Sequence, residues 1–267
     1  MHERIVAIPT PDGQMETFIT HPEEDGPFPA VVLYIDFWGV REELFDIARR
    51  VGTVGYYCMV PDLYYRQGRV RHAWLQRERE NDLGPPARPR KPAPSPGAPR
   101  TAIECDGYRG HRRVAAVLGR RRAGAPRWYW LLRLLHGRTA RPVRRPGAYP
   151  ERFIANASPH GTLLISDRED SPHHLADRFR GELYCGFAEH DPLAPLALIA
   201  ELGRILARAA VGYRYELHSD AEHGYALTDR DIYDKRAATR DWELIFAMYR
   251  RQIPLATTLS HHRPRPA

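Results

Sequence analysis

Short apolar runs of strand length alternate with amphipathic helical stretches at both ends of this chain, and that alternation restricts the fold more than any other feature. Residues 30–35 form a continuous apolar run suited to a strand buried on both faces. Residues 42–51 then place Leu44, Ile47, Ala48 and Val51 on one helical face, and residues 56–60 form a second buried run closed by Pro61-Asp62. The pattern resumes near the other end, with strand-like residues 182–186 and 213–217 and helical residues 195–209 and 235–250. The last helix turns Trp242, Ile245, Phe246 and Tyr249 inward. Ahead of everything, residues 4–8 and 15–20 alternate as a hairpin around Pro11-Asp12-Gly13. Strands alternating with helices predict an α/β protein, a three-layer sandwich around a mostly parallel, doubly wound sheet.

The alternation is interrupted. Residues 84–147 hold 15 Arg and one Lys against two acids, Glu104 and Asp106, and 10 of the 24 prolines. Their net charge is +14; subtracting this from the whole-chain value of +7 leaves −7 on the rest. Residues 84–100 are mostly Pro, Ala, Arg and Gly, with little to pack. The middle of the fold is therefore expected to be disrupted. The expected organisation is one domain over residues 1–253, an aberrant Arg/Pro-rich segment over 76–146, and a disordered tail over 254–267. A chain of 267 residues is long enough to bury one large core.

Two segments near the C-terminal end carry chemistry. Asp191 follows a strand in Gly186-Phe187-Ala188-Glu189-His190-Asp191-Pro192, and His223 follows the next strand in Ala221-Glu222-His223-Gly224-Tyr225-Ala226. A carboxylate just past one strand and a histidine just past the next is how an α/β-hydrolase orients its base. That arrangement needs a nucleophile on a tight strand-to-helix turn of the form Gly-x-(Ser/Cys)-x-Gly, and the sequence has none. Cys58 and Cys185 lie within strand-like runs and Cys105 within the aberrant block, so none is expected to replace it. His160, His173 and His174 lie in loop-like sequence and read as structural; Arg66 and Arg77 read as solvated side chains.

A larger set of motifs resembles the dienelactone hydrolase family. These are Ile8-Pro9-Thr10-Pro11-Asp12-Gly13, Pro29-Ala30-Val31-Val32, Asp36-Phe37-Trp38-Gly39-Val40, Gly55-Tyr56 and Pro61-Asp62-Leu63-Tyr64. Further on come Tyr149-Pro150-Glu151-Arg152-Phe153, Gly181-Glu182-Leu183-Tyr184, Asp191-Pro192 and Glu222-His223-Gly224-Tyr225-Ala226. The similarity covers roughly residues 1–75 and 147–253. It implies an α/β-hydrolase that opens lactone or carboxylic ester bonds with a Cys-Asp-His triad through an acyl-enzyme. It further implies Asp191 as acid, His223 as base, and Asp36 where the family has an acidic residue, usually Glu, that contacts the resting cysteine. The amide of Phe37 would supply one oxyanion donor. Leu227 stands near the place where one branch of the family has a carboxylate-binding arginine, which weakens the case for dienelactone itself.

Family members carry Gly-x-Cys-x-Gly-Gly shortly before the Tyr-Pro-Glu-Arg-Phe segment. Here that place is Arg133-Leu134-Leu135-His136-Gly137-Arg138-Thr139. Codons CGG CTA CTG CAT GGG CGG ACN encode this peptide, and a shift of one base turns them into GGC TAC TGC ATG GGC GGA, or Gly-Tyr-Cys-Met-Gly-Gly. The match falls at the required place, inside a block with the Arg/Pro/Ala/Gly bias of a GC-rich gene read out of frame. The expectation is that residues 76–146 are frame-shifted translation and that the lost cysteine codon straddles Leu135 and His136.

Other classes are set aside on composition. No run of about 18 apolar residues exists, so no membrane span is expected. The sequence opens without a basic-then-apolar pattern, and a cytoplasmic location is the expectation. Three cysteines with no metal spacing argue against a disulfide framework or a zinc site, and no metal or cofactor is expected. The expected partner is a small-molecule lactone or ester, and the chain is expected to be monomeric. The alternative function is a non-catalytic hydrolase scaffold whose Arg-rich insertion binds nucleic acid or an acidic partner, with Trp128, Tyr129 and Trp130 available for stacking.

Overall fold

The structure is a computed structural model that describes residues 1–36, 38–67, 129–133, 153–162, 164–167, 171–253 and 255. Its strands are β1 (His2–Thr10), β2 (Gly13–His21), β3 (Ala30–Tyr34), β4 (Tyr57–Pro61), β5 (Tyr129–Arg133), β6 (Phe153–Pro159), β7 (Glu182–His190) and β8 (Gly212–Glu222). Three α-helices accompany them: α1 (Glu42–Thr53), α2 (Leu196–Arg208) and α3 (Lys235–Gln252). Short 3-10 turns occupy Tyr65–Gln67 and Pro172–Arg178. All eight strands join one sheet in the order β1-β2-β4-β3-β5-β6-β7-β8. β1 and β2 form the antiparallel hairpin read from the sequence, β2 meets β4 antiparallel, and every other pairing is parallel.

Helix burial follows sequence periodicity. Leu44, Ile47, Ala48 and Val51 are buried on α1, and Glu42 and Glu43 sit in its first turn, where the partial positive charge of the helix end favours carboxylates. α3 begins at Asp234, whose side chain accepts a hydrogen bond from the Ala237 amide at 2.9 Å. Its Trp242, Ile245 and Tyr249 pack with α1 residues and with Val31 and Leu33 of β3 in one core cluster. Phe246 is only partly buried against that cluster. α2 covers the opposite face of β7, where Ile199, Leu202 and Leu206 meet Cys185 and Phe187. The sheet thus has a helix layer on each side, the three-layer arrangement expected.

The centre of the sheet departs most from ordinary sequence signals. β5 lies between β3 and β6, parallel to both, although it comes from the Arg-rich block. Its apolar run, Tyr-Trp-Leu-Leu, suits a strand with neighbours on both sides, and the strand fills the gap between β3 and β6. The rest of the 76–146 segment lies outside the described residues. β6 was not anticipated from periodicity. Phe-Ile-Ala-Asn-Ala-Ser-Pro has small and polar residues throughout, and pairing with β5 and β7 makes it a strand. Beyond α3, Leu255 lies over Gly55 and is 40% exposed; residues 254 and 256–267, the rest of the expected tail, lie outside the described residues.

Candidate active site

The parallel strands end on one edge, and the residues just beyond those ends face one another. In the β7–β8 ladder His190 pairs with Glu222, which brings the next residues, Asp191 and His223, side by side. His223 Nδ1 lies 2.6 Å from Asp191 Oδ2, and both residues are buried. The other Asp191 oxygen accepts the Leu193 amide at 2.8 Å. The aspartate therefore caps its own turn and holds the imidazole. That contact makes Nδ1 the protonated nitrogen and leaves Nε2 as the acceptor. Nε2 is buried and has no hydrogen-bond partner among the described residues.

The backbone after His223 turns sharply. Gly224 sits at φ +98°, where an L side chain is strained, and the Tyr225 amide bonds Glu222 O at 3.1 Å. Tyr225 then anchors the loop from below. Its hydroxyl donates to Asp241 of α3 at 2.5 Å, and the same carboxylate accepts from Tyr184 at 2.6 Å and meets His218 Nε2 at 2.6 Å. Asp241 is 1% exposed. A buried carboxylate is tolerated because three donors converge on it. Gly186 makes room for this cluster, since a Cβ there would collide with the Tyr225 hydroxyl and the Asp241 carboxylate.

Asp36 follows β3 on the same edge. It is 2% exposed, and its Oδ1 accepts the Trp38 amide at 2.8 Å and Arg41 Nη1 at 2.7 Å. Burial pushes its carboxyl above the usual range, against the pull of Arg41. Arg41 also bonds Asp229 at 2.6 Å, and Glu43 accepts the Thr228 amide at 2.9 Å and the Thr228 hydroxyl at 2.5 Å. These contacts tie the start of α1 to the loop that carries His223. Phe37, the expected oxyanion donor, lies outside the described residues, as do Leu135 and His136. β5 nevertheless ends at Arg133, which pairs with Tyr34, so the chain leaves β5 at the edge that bears Asp36.

Two further residues belong to the site and were not singled out for it. His160 follows β6, is fully buried at φ +38°, and sets its ring edge-to-face against His223 at 5.7 Å between centroids. Burial, then the neighbouring His223, holds its proton affinity well below the usual histidine value. Read from sequence as a structural loop histidine, it has no spacing to Asp191 or His223 that would reveal the contact. Arg41 is the second, and its position five residues beyond Asp36 was the only available hint. Of the other candidates, Cys58 is buried in the core with its thiol pKa pushed up by burial, and Cys185 is buried under α2. Arg66 pairs with Asp12 at 2.8 Å, and His173 bonds Ser171 at 2.8 Å. Arg77 lies outside the described residues.

An eight-stranded, mostly parallel sheet in this order, flanked by helices and bearing an aspartate after β7 and a histidine after β8, is an α/β-hydrolase fold. The profile of the dienelactone hydrolase family matches residues 15–98 and 147–253, and the chain belongs to that family. A protein of Synechocystis named "Putative carboxymethylenebutenolidase" is 21% identical over 252 residues, covering 93% of this chain and 96% of its own length. A protein of the same name from Methylorubrum extorquens is 40% identical over 65 residues, but the match covers 24% of this chain and 22% of that protein. Among solved structures, a dienelactone hydrolase-family protein from Klebsiella pneumoniae superposes with a TM-score of 0.70 at 19% identity, covering 93% of this chain and 98% of that one. The last likeness speaks for the fold alone. The family match stops at residue 98 and resumes at 147, so it includes residues 76–98, which were expected to lie outside the resemblance.

Proposed function

We propose that this fold is built to hydrolyse carboxylic ester or lactone bonds of small molecules through an acyl-enzyme, with Asp191 and His223 as acid and base. We infer further that the chain as translated lacks its nucleophile. The observation that carries the reading is the buried 2.6 Å contact between His223 Nδ1 and Asp191 Oδ2, which leaves Nε2 without a partner among the described residues. In the complete reaction Nε2 takes the proton of a thiol, the thiolate attacks the carbonyl carbon, and the alcohol leaves as Nε2 returns the proton to it. A water then releases the acid by the same proton path. Asp191 fixes the tautomer and stabilises the imidazolium. By family resemblance Asp36 is assigned the place of the acidic residue that contacts the resting thiol, and the Phe37 amide would supply one oxyanion donor.

The lost nucleophile is read as a one-base frame shift across residues 76–146, with the cysteine codon straddling Leu135 and His136. The end of β5 at Arg133 supports this reading, because a nucleophile turn belongs directly after the central strand. β5 also counts against the nucleic-acid scaffold reading, since the backbone of Tyr129 and Trp130 is part of the sheet rather than of a surface appendage. The test compares this chain with one in which residues 76–146 are replaced by the frame-corrected peptide. The corrected chain should hydrolyse an activated ester in a thiol-dependent manner, while the present chain should match a protein-free control. Equal turnover by both, abolished by His223→Ala, would show that another nucleophile serves the site.

A further inference from the structure

β8 ends the sheet, and among the described residues no strand lies along its outer side. It spans eleven residues, which makes it the longest described strand. A long free edge presents unpaired N–H and C=O groups that template further pairing unless proline, charge or a bulge blunts it. The opposite edge strand, β1, carries Pro9. β8 carries no proline, and its one register irregularity lies between Ala188 and His190 of its neighbour, near its far end.

The central residues of β8 read Tyr213-Arg214-Tyr215-Glu216-Leu217. Alternation puts the two tyrosines and the leucine on the α2 side and Arg214 and Glu216 on the α3 side. Tyr215 is 52% exposed and Leu217 40%. Tyr213 and Tyr215 stack at 5.7 Å, and Tyr215 stands edge-on to Phe187, so an ordered apolar strip borders the free edge. On the other side Glu216 meets Arg240 at 2.8 Å, and Arg214 lies 3.8 Å from Glu182.

We propose that β8 pairs antiparallel with β8 of a second copy of this chain, across a two-fold axis at Tyr215. Two-fold antiparallel pairing keeps each face of the sheet on its own side, so the axis must lie midway between two copies of one residue. An axis at Tyr215 sets Arg214 opposite the partner subunit's Glu216 and Glu216 opposite the partner subunit's Arg214. Tyr213 then meets the partner subunit's Leu217, and Tyr215 meets its own counterpart. Moving the axis to Arg214 or Glu216 sets like charges directly opposite one another, which is destabilising. Of these three registers only the one centred on Tyr215 opposes unlike charges. The expectation of a monomer came from a linear sequence, in which nothing marks residues 213–217 as the edge strand that they form among the described residues.

Sedimentation velocity of the full chain should show a dimer whose fraction rises with concentration up to about 200 µM, within the weak range typical of small interfaces. Arg214→Glu should weaken association by about tenfold or more, since two opposed pairs become repulsive. The double variant Arg214→Glu/Glu216→Arg should restore it, which separates loss of the contact from loss of folding. Tyr215→Cys should form a disulfide-linked dimer on mild oxidation, because Cβ atoms directly opposite lie about 5 Å apart. Ser219→Cys should not, since the two copies of residue 219 would lie on the order of 25 Å apart. A chain that stays monomeric over this range, association untouched by Arg214→Glu, failure of the double variant to restore it, or equal cross-linking at 215 and 219 would each overturn the proposal.

Discussion

The Asp191–His223 end of the sheet and the β5 strand at its centre solve the same problem in opposite ways. Asp191 and His223 are held by register, since the pairing of His190 with Glu222 fixes their separation, and Asp241 clamps the loop from beneath through Tyr225. β5 keeps the place of a central strand through backbone pairing with β3 and β6, but nothing in Arg133-Leu134-Leu135-His136 can form a nucleophile turn. A strand can thus keep its place in a sheet by backbone pairing, whereas a reactive group requires particular residues.

The largest expected effect comes from the frame-restored chain. There, His223→Ala should lower turnover of an activated ester by about a millionfold, as removal of a triad base does elsewhere. The same substitution in the present chain should change nothing, and any loss there would break the contrast between the two regions. Asp191→Asn in the restored chain should cost about ten thousandfold, because the imidazole loses its tautomer and its counter-charge while the geometry stays. Steady-state rates for each variant check both.

A smaller effect tests the clamp. Asp241→Ala strips three buried donors, Tyr184, Tyr225 and His218, of their shared acceptor. It should destabilise the fold by about 3–5 kcal/mol in both the present and restored chains, read from urea midpoints. A penalty confined to one version would mean that the acid–base end depends on the central segment.

The smallest effect is a pH dependence at His160. Burial lowers its proton affinity in the folded chain, so the unfolded chain binds the extra proton. Its contribution is fully present above about pH 6.5 and is lost as pH falls below that, by about 1.4 kcal/mol per unit while His160 alone titrates. His160→Asn, which tolerates the φ of +38°, should flatten this slope in urea unfolding series at successive pH values. An unchanged slope would remove His160 from the account of acid sensitivity.

What the sequence made legible divides along the same line. The hairpin, β3, α1 and β4 were readable because their apolar positions recur at the period of the element they form, as with Leu44, Ile47, Ala48 and Val51. β6 was not, because Ala155 and Ala157 are small and Asn156 and Ser158 polar; its partners make it a strand. β8 was read only over residues 213–217, since the polar His218 and Ser219 give no strand signal and pairing with β7 carries the element to Glu222. At the site, Asp191 and His223 could be found from their places just past strands. Arg41 and His160 could not, because their contacts to Asp36 and His223 arise from how loops fold over the sheet edge.

The central claim is that the acid and base await a cysteine that this translation lacks, and intact-mass measurement of a trapped acyl-enzyme tests it most directly. Both chains would be mixed with an activated ester, quenched in acid within the first turnovers, weighed and mapped by proteolysis. The frame-restored chain should gain one acyl group on the cysteine of its restored Gly-Tyr-Cys-Met-Gly-Gly turn, and the present chain should gain none. An acyl group on Cys58, Cys185 or a serine of the present chain, lost on His223→Ala, would contradict the account.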